Sequence, residues 1–426
     1  MIVTIHPSSV QGSIRSPRSK SDMQRACAAA LLHKGTTTIQ DPGRSNDDLA
    51  ALDVIVKLGA SLKDEGDFIA ITSNGVNPKQ NQIDCGESGL GIRMFTPIAA
   101  LSDLQLTIQG TGSLVSRPMD FFDQIFPQLD IAITTHEGKL PLQVKGPLVP
   151  KDIQVDGSLS SQFLTGLLMA YSASNASGVT ITVQDLKSKP YIDLTLRVLK
   201  DFGMKLPLVN NHKQFEFSAE QHQQPVGNMS YKIEGDWSGA AFLFVAGAIS
   251  NTITIEGMRS DSVQADIKIV EAIRDAGANL TYDDGKYTVG PAHLKAFEFD
   301  ATECPDLFPP LVALAAYCDG ITRIKGVNRL AHKESNRGLT LKDVFGKMGV
   351  LVELDGDLML VHGGKQVLAA QVHSHHDHRI AMAASIAALG ATGPIIIEAA
   401  EAINKSYPEF YNHLKSLGVQ LETETN

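Results

Sequence analysis

Residues 157–174 read GSLSSQFLTGLLMAYSAS, in which small polar residues are followed by a run of leucine, methionine and alanine. Serine just before an apolar run is typical of a helix N-cap, because its hydroxyl can accept a hydrogen bond from a free backbone N–H group. The run is apolar on almost every face, which is typical of a helix surrounded by other elements. This stretch therefore predicts a helix at the centre of a domain.

The same arrangement of a polar opening, an apolar helix and a Gly, Ser or Asp stop occurs five more times. The other copies are SKSDMQRACAAALLHKG (19–35), ESGLGIRMFTPIAALSD (87–103), GDWSGAAFLFVAGAISN (235–251), CPDLFPPLVALAAYCDG (304–320) and HDHRIAMAASIAALGAT (376–392). Successive copies begin 68, 70, 78, 69 and 72 residues apart. Such even spacing indicates an internal structural repeat.

Each copy is followed by a short β-branched run and then by a second helix with apolar residues at i, i+3, i+4 and i+7. The runs are TTTIQ (36–40), LQLTIQG (104–110), GVTITVQ (178–184), TITIEG (252–257), ITRIKG (321–326) and GPIIIEA (393–399). The second helices are predicted in NDDLAALDVIVKLGASL (46–62), RPMDFFDQIFPQLDIAI (117–133), YIDLTLRVLKDFG (191–203), QADIKIVEAIRDAGANL (264–280), LTLKDVFGKMGV (339–350) and PEFYNHLKSLGVQL (408–421). Short strands such as FIAITS (68–73) complete each unit.

Six such units predict an α/β chain, of the α+β kind, with three units in each of two domains. A single unit cannot bury both of its faces, and 426 residues exceed one ordinary core. The longest interval precedes residue 235 and contains the polar stretch NNHKQFEFSAEQHQQPVG (210–227). We therefore expect a first domain at 16–234 and a second at 1–15 plus 235–426, with the N-terminal strand pairing in the second.

Composition excludes several classes of protein. The net charge of −10 argues against a nucleic-acid coat, although an acidic protein can bind anions where its cations are concentrated. No apolar stretch approaches the roughly 18 residues of a membrane span, and no signal peptide is evident. Four cysteines without a CxxC pair indicate reduced, buried thiols in a cytoplasmic protein.

Motifs for other chemistries are weak or missing. The stretch HSHHDH (373–378) resembles a metal site, but no matching Cys or carboxylate set accompanies it. Phosphate-cradling GxxxxGK[ST] and strand-linked GxGxxG motifs do not occur, and neither does a GxSxG elbow. We expect no metal and no cofactor.

Charged and polar residues instead collect at the openings of the central helices. They are Lys20, Ser21, Arg25, Arg93, Ser160, Ser161, Gln162, Asp306, Asp377, His378 and Arg379, and the connecting segments add Arg117, Lys333, Glu334, Arg337 and Lys405. Each alone could be a cap or a solvated charge. Helix N-termini attract anions, however, and cations recur there from unit to unit. The set predicts a site for one or two strongly anionic small substrates.

Six stretches together resemble the 5-enolpyruvylshikimate-3-phosphate synthase family, from about residue 5 to 421. They are SKSDMQR (19–25), DGSLSSQFLTGLLM (156–169), SKPYIDLTL (188–196), EGDWSGAAF (234–242), HKESNR (332–337) and DHRIAMA (377–383). The resemblance implies the enolpyruvyl transferase fold, with three βαβαββ units in each of two domains and the active site between the domains. It implies transfer of the enolpyruvyl group from phosphoenolpyruvate to the 5-hydroxyl of shikimate 3-phosphate, with release of phosphate. This is a shikimate-pathway step in aromatic amino-acid biosynthesis and the target of glyphosate.

The resemblance also implies which residues of this chain contact the substrates, because they stand at the positions of the family's site residues. The implied shikimate 3-phosphate contacts are Lys20, Ser21, Arg25, Ser160, Ser161, Gln162, Ser188, Tyr191, Asp306 and Lys333. The implied phosphoenolpyruvate contacts are Lys20, Gly89, Arg117, Gln162, Arg337, Arg379 and Lys405. The resemblance implies that Asp306 takes the hydroxyl proton and Glu334 serves the methylene carbon, with Lys20 assisting. We expect small-molecule substrates, no nucleic-acid or membrane partner, and a monomer.

The chain departs from the family in one loop, where NAGTAMRP becomes ESGLGIRM (87–94). Leu90 and Met94 stand where Thr and Pro are common, which leaves the sensitivity to glyphosate-like inhibitors open. Whether Asn328 or Arg329 contacts substrate also stays open. Two alternatives remain: a UDP-N-acetylglucosamine enolpyruvyl transferase, whose loop cysteine is missing from GTGSLVS (110–116), and a non-catalytic anion-binding protein of the same fold.

Overall fold

The computed structural model describes residues 1–424, which form α-helices, short 3-10 helices and β-strands. The α-helices are α1 (Lys20–Leu32), α2 (Asn46–Lys57), α3 (Gly89–Ala99), α4 (Asp120–Ile125), α5 (Ser161–Ala173), α6 (Lys189–Asp201), α7 (Trp237–Ile249), α8 (Ile269–Asp275), α9 (Phe308–Ala315), α10 (Arg337–Lys347), α11 (His378–Ala387) and α12 (Phe410–Ser416). The 3-10 helices are Gly112–Ser116, Phe126–Leu129, Ala265–Lys268, Pro305–Leu307, Val327–Arg329, Ala388–Gly390 and Ala400–Lys405.

The strands alternate with these helices along the chain. The first twelve are β1 (Ile2–Ile5), β2 (Gly12–Arg15), β3 (Gly35–Gln40), β4 (Ser61–Asp64), β5 (Phe68–Ser73), β6 (Gln82–Asp84), β7 (Gln105–Gln109), β8 (Ala132–His136), β9 (Lys139–Lys145), β10 (Ile153–Asp156), β11 (Val179–Gln184) and β12 (Leu208–Asn210). The rest are β13 (Gln214–Phe217), β14 (Met229–Lys232), β15 (Ile253–Glu256), β16 (Asn279–Asp283), β17 (Lys286–Gly290), β18 (Glu298–Asp300), β19 (Gly320–Lys325), β20 (Leu351–Asp355), β21 (Leu358–Gly363), β22 (Ala370–His373), β23 (Ile395–Glu398) and β24 (Leu421–Glu424).

The strands form six four-stranded sheets that share one pattern of pairing. In the sheet β10-β11-β13-β12, the first pair is parallel, with Ile153 opposite Ile181, and the other two pairs are antiparallel. The sheets β6-β7-β9-β8 and β18-β19-β21-β20 repeat this order and these directions. The βαβαββ repeat expected from the sequence is confirmed.

Three sheets are completed by strands that are distant in sequence. β14 pairs in parallel with β3. β14 follows the third unit in the chain, but it is the first strand of the sheet of the first unit, β14-β3-β5-β4. β2 pairs in parallel with β15, and β1 lies between β23 and β24. The expected pairing of the N-terminal segment with the second half of the chain is therefore confirmed.

The chain divides into two compact units. The continuous unit is Lys20–Ile233, and the discontinuous unit is Met1–Ser19 together with the chain from Glu234 on. The continuous unit has the central helices α1, α3 and α5, and the discontinuous unit has α7, α9 and α11. Every residue of α3 is buried, and so is all of α7 except its last residue. The helices that are apolar on all faces are thus central, as predicted.

The second helices form where they are expected, but some are shorter than predicted. In the second unit, α4 ends at Ile125 and continues as the 3-10 helix Phe126–Leu129. Pro127 explains this difference, because proline has no backbone N–H group to continue an α-helix. In the fourth unit, α8 ends before Gly277, whose φ of +89° lies in the left-handed region, and β16 then begins within the segment predicted as helix.

The four cysteines, Cys27, Cys85, Cys304 and Cys318, are buried and unpaired, as the sequence predicts. Within residues 1–424, no helix combines the length and the apolar character that crossing a membrane requires.

Candidate active site

Asp306 is the meeting point of three cations in the discontinuous unit. It lies in the 3-10 turn that leads into α9, and its Oδ1 accepts hydrogen bonds from Lys333 Nζ at 3.1 Å and from Arg337 Nη1 at 2.7 Å. Its Oδ2 accepts a hydrogen bond from Arg379 Nη2 at 3.3 Å. Four residues that the sequence singles out, from three separate motifs, are therefore in contact.

Arg337 is the most completely bound of these cations. It opens α10 after the N-cap Asn336, and its side chain is 1% exposed. Its guanidinium donates to Asp377 through Nε at 2.8 Å and through Nη2 at 3.2 Å, and also to Glu334. Charge-assisted bonds of this kind fix the guanidinium plane. HKESNR thus folds into one polar cluster in which Lys333 and Glu334 have different partners.

The sixth central helix contributes Arg379 and its cap. Asp377 is the N-cap of α11, and its side chain accepts the backbone N–H of Arg379 at 3.0 Å. Arg379 also donates to the carbonyl of Ser238, in the first turn of α7, at 3.5 Å. Lys405 donates to the carbonyl of His376 at 2.9 Å. The polar openings of α7, α9 and α11 therefore meet around Arg379.

Electrostatics hold Asp306 in its charged form. Burial alone would raise the pKa of this carboxyl, but Arg379, Lys333 and Arg337 hold the pKa well below its usual range. Burial lowers the pKa of Lys333, and the charge of Asp306 opposes that shift. Asp306 is therefore available as a proton acceptor at neutral pH.

Arg25 organises a polar cluster in the continuous unit. Its Nε donates to Thr195 Oγ1 at 2.9 Å, its Nη1 donates to the carbonyl of Ser21 at 2.8 Å, and its Nη2 donates to the carbonyl of Tyr191 at 3.2 Å. A longer bond of 3.5 Å joins Nη2 to Thr165 Oγ1. Burial lowers the pKa of Arg25 to about 10, so it remains charged at neutral pH.

A second cluster surrounds Gly89 at the start of α3. A Cβ atom added at this glycine would lie 2.5 Å from Arg117 Nη1 and 3.7 Å from Gln162 Oε1. Gln162 Oε1 accepts a hydrogen bond from Arg93 Nη1 at 2.9 Å, and Arg117 Nη2 donates to Ser113 at 3.2 Å. Only a residue without a side chain leaves this approach open.

Other predicted residues lie at helix starts in the same unit. Ser160 is the N-cap of α5 and accepts the backbone N–H of Gln162, and Ser161 is the first residue of that helix. Ser188 is the N-cap of α6, with a φ of +55°, and is buried. Lys20 opens α1, and its Nζ donates to Asp47 at 2.7 Å.

Several buried carboxylates around these clusters are not predicted from the sequence; Asp47 bonds Lys20, and Asp266 bonds Ser238. Asp47 and Asp266 lie at the starts of the second helices of the first and fourth units, and Asp377 was noted only as part of a helix opening. An acidic residue that recurs at the start of the second helix in different repeats is the signal that could have found the first two.

The histidines of HSHHDH lie beside the discontinuous unit's cluster. The ring centroid of His373 lies 5.3 Å from that of His375 and 5.3 Å from that of His376. Among residues 1–424, no group of three or more His, Cys, Asp or Glu side chains is arranged to hold a metal ion.

Comparison with known proteins gives one family. The family model for EPSP synthase (3-phosphoshikimate 1-carboxyvinyltransferase) matches residues 5–414. The 3-phosphoshikimate 1-carboxyvinyltransferase of Clostridium perfringens is 34% identical over 425 residues, which cover 99% of this chain and 99% of that protein. The enzyme of the same name from Clostridium kluyveri is 35% identical over 427 residues, covering 99% of this chain and 98% of the relative.

Solved structures show the same fold. An EPSP synthase from Acinetobacter baumannii superimposes with a TM-score of 0.82 at 24% identity, covering 99% of this chain and 100% of that one. The enolpyruvyl transferase NikO from Streptomyces tendae gives a TM-score of 0.78 at 15% identity, covering 100% and 99%. At these identities the likeness concerns the fold alone.

Proposed function

This chain belongs to the EPSP synthase family, the 3-phosphoshikimate 1-carboxyvinyltransferases, and from that premise we propose how its own side chains carry out the family reaction. It transfers the enolpyruvyl group of phosphoenolpyruvate to the 5-hydroxyl of shikimate 3-phosphate and releases phosphate, a step of the shikimate pathway. Neither the UDP-N-acetylglucosamine enolpyruvyl transferase nor the non-catalytic anion-binding protein is favoured, because relatives matched over their full length are named 3-phosphoshikimate 1-carboxyvinyltransferase.

The continuous unit supplies residues for shikimate 3-phosphate in this proposal. Arg25 is held by neutral hydroxyl and carbonyl oxygen atoms, so its positive charge is not cancelled by these contacts. Phosphate and carboxylate groups are bound best by such cations and by hydroxyls at helix starts. The full set proposed for this substrate is Lys20, Ser21, Arg25, Ser160, Ser161, Gln162, Ser188, Tyr191, Asp306 and Lys333.

Phosphoenolpyruvate carries a phosphate and a carboxylate, and several cations are therefore needed to hold it. The proposed contacts are Lys20, Gly89, Arg117, Gln162, Arg337, Arg379 and Lys405. The closeness of Gly89, Arg117 and Gln162 supports a shared site for three of them. Arg337 and Arg379 both contact Asp306, which supports a second group of phosphoenolpyruvate contacts beside the proposed proton acceptor.

Proton transfer follows from the two carboxylates. In the addition, Asp306 takes the 5-hydroxyl proton while that oxygen bonds to C2 of phosphoenolpyruvate, and the methylene carbon receives a proton from Glu334. In the elimination, the methyl group returns its proton to Glu334 as the C=C bond re-forms, the C2–O bond to phosphate breaks, and Asp306 gives its proton to the leaving phosphate. Glu334 bonds to Arg337, so holding a proton requires that this contact loosens. Lys20 assists.

The contact of Asp306 with Lys333, Arg337 and Arg379 is the observation that carries the proposed roles. The test is phosphate release from phosphoenolpyruvate by the purified protein, with and without shikimate 3-phosphate. We expect turnover only with shikimate 3-phosphate, and a loss of about 10²- to 10⁴-fold in Asp306→Asn. Asp300→Asn, which alters an exposed pair with Lys325, is the matched control. Turnover with UDP-N-acetylglucosamine instead, or binding without turnover, would contradict the proposal.

Three further properties belong to the proposal. We propose that the chain acts as a monomer in the cytoplasm, with domains at 16–234 and at 1–15 plus 235–426. Buried, unpaired cysteines support a reducing compartment. Light scattering after gel filtration tests the monomer, and limited proteolysis tests the domain boundaries. We also propose that glyphosate inhibits this enzyme, which a measured inhibition constant would test. Leu90 and Met94, where the loop departs from the family, are buried.

A further inference from the structure

Asp266 is a buried carboxyl without a role in the proposed mechanism. It lies in the 3-10 helix before α8, and its exposed fraction is 0%. Its Oδ2 accepts a hydrogen bond from Ser238 Oγ, while its Oδ1 is buried without a hydrogen-bond partner among the described residues. A half-satisfied buried carboxyl is costly, so a purely structural role would be better filled by an apolar side chain.

A continuous chain of contacts joins Asp266 to the candidate active site. Ser238, which bonds Asp266 through its hydroxyl, accepts a hydrogen bond from Arg379 Nη1 through its carbonyl at 3.5 Å. Arg379 Nη2 in turn bonds Asp306 at 3.3 Å. The Nε atom of Arg379 is buried and has no hydrogen-bond partner within residues 1–424. Arg379 therefore lies between two carboxyls, of which only Asp306 bonds it directly.

We propose, on the basis of the function proposed above, that Asp266 is a positioning residue for phosphoenolpyruvate binding. Through Ser238 it orients Arg379, and its own charge determines how much of the Arg379 charge a bound anion meets. An ionised Asp266 attracts the guanidinium and repels the phosphate or carboxylate of the substrate. A protonated Asp266 does neither, so the anion is bound more tightly.

The surroundings of Asp266 give this effect its direction with pH. The ionisable groups that face it are Asp306, Arg379, Asp236 and Cys304. Burial and the negative charge of Asp306 together raise the pKa of Asp266 to about 7, although the positive charge of Arg379 opposes this shift. A bound anion adds negative charge and favours the proton on Asp266. By linkage, the KM for phosphoenolpyruvate should rise as pH increases through about 7.

Asp266→Asn tests this directly, because asparagine keeps the shape and can still accept the Ser238 hydroxyl but does not ionise. At about pH 6 the KM for phosphoenolpyruvate should be the same in the parent and the variant. At about pH 8 we expect the parent KM to be at least about fivefold higher than that of the variant. Ionisation of phosphoenolpyruvate itself affects parent and variant alike, so it cancels in the ratio of the parent KM to the variant KM. An equal ratio at both pH values would overturn the proposal.

Ser238→Ala gives a second test if Asp266→Asn does not fold. The Ser238 hydroxyl lowers the pKa of Asp266, and its loss should move the rise in KM to higher pH while the backbone contact with Arg379 remains. The matched control is Ser385→Ala, a buried serine on the helix of Arg379 whose hydroxyl bonds the carbonyl of Ala381. If the KM of Ser238→Ala rose over the same pH range as the KM of the parent, the proposal would be contradicted.

Tryptophan fluorescence provides a readout that does not depend on turnover. Trp237 is the single tryptophan of the sequence, is fully buried and directly precedes Ser238. Its emission should titrate near pH 7 in the substrate-free parent and not in Asp266→Asn. An inactive parent would refute the proposed function, whereas an active parent with the same titration and the same KM profile as the variant would refute this inference alone.

Discussion

The two units hold their buried arginines in different ways. In the discontinuous unit, Arg337 contacts three carboxylates, from Asp306, Glu334 and Asp377. In the continuous unit, Arg25 is bound by hydroxyl and backbone carbonyl oxygen atoms. Both arginine residues are 1% exposed. The first arrangement neutralises charge locally, whereas the second leaves a buried positive charge that an incoming anion can neutralise.

Under the proposed function, this difference separates the binding of shikimate 3-phosphate from proton transfer. A cation held by neutral dipoles is suited to phosphate, because the anion does not have to displace a carboxylate. Carboxylates held by several cations stay ionised and can accept a proton, as Asp306 can. We therefore propose that the continuous unit mainly binds shikimate 3-phosphate, whereas the discontinuous unit holds the proton acceptor together with the phosphoenolpyruvate contacts Arg337 and Arg379.

The largest effect is expected from removal of the shared cation of the discontinuous unit. Arg337→Met leaves the fully buried Asp377 without the guanidinium that it bonds, and loss of one partner of a buried ion pair typically costs about 3–5 kcal/mol of unfolding free energy. Urea unfolding followed by Trp237 fluorescence reports on this unit. The control Lys325→Met removes one partner of the exposed pair with Asp300 and should cost at most about 1 kcal/mol. Equal costs would mean that Arg337 does not hold the carboxylates together.

Arg25→Met should change binding rather than proton transfer. Loss of charge-assisted bonds costs about 1.5–3 kcal/mol, so the KM for shikimate 3-phosphate should rise about 10- to 100-fold. The KM for phosphoenolpyruvate should change much less. Arg44→Met, which removes an exposed ion pair with Asp64 in the same unit, is the control and should leave both constants unchanged. A loss of kcat alone would contradict the division between the units.

A buried carboxyl of the continuous unit provides the counterpart of Asp306. Asp48 is bonded to Ser45 rather than to an arginine, and burial raises its pKa to about 7. An unfolded aspartate has a pKa near 3.9, so between about pH 4 and 7 the folded chain holds a proton that the unfolded chain releases. Stability contributed by this proton is full below about pH 4 and is lost as pH rises to about 7.

Asp48→Asn should remove this pH dependence. Between about pH 5 and 7 the parent should lose about 2 kcal/mol of unfolding free energy relative to the variant. Circular dichroism during urea unfolding measures the difference. Asp53→Asn, on the exposed face of the same helix, should leave the pH dependence of the parent unchanged. A parallel course for parent and Asp48→Asn would show that Asp48 is ionised throughout.

The repeat could be predicted from the sequence because the apolar residues that each unit buries recur at helix and strand spacing within that unit. The completion of sheets by β1, β2 and β14 depends on pairing across hundreds of residues, and only the pairing of the N-terminal segment was expected. A local pattern contains no information on such a distant register. The 3-10 turn after α4 was missed because the apolar spacing continued through Pro127.

The candidate site was predicted unevenly for a related reason. Motifs identified the cations and Asp306, but not which carboxylate each cation contacts. Asp47 and Asp266 read as ordinary acidic residues near a helix start, where the helix dipole alone would favour them. Their role depends on tertiary contacts with Lys20 and Ser238, which no spacing in the sequence reveals.

The smallest effect is expected at a contact that the structure adds to the sequence prediction. In Gly89→Ala the new methyl group would lie 2.5 Å from Arg117 Nη1, so that side chain must shift. We expect the KM for phosphoenolpyruvate to rise about fivefold to tenfold, since crowding of this kind costs roughly 1 kcal/mol. Gly346→Ala, in α10 with open space at the Cβ position, should leave the KM unchanged and stabilise the helix by about 0.5–1 kcal/mol. An unchanged KM in Gly89→Ala would remove Arg117 from the binding site and leave the continuous unit with Arg25 as its main anion ligand.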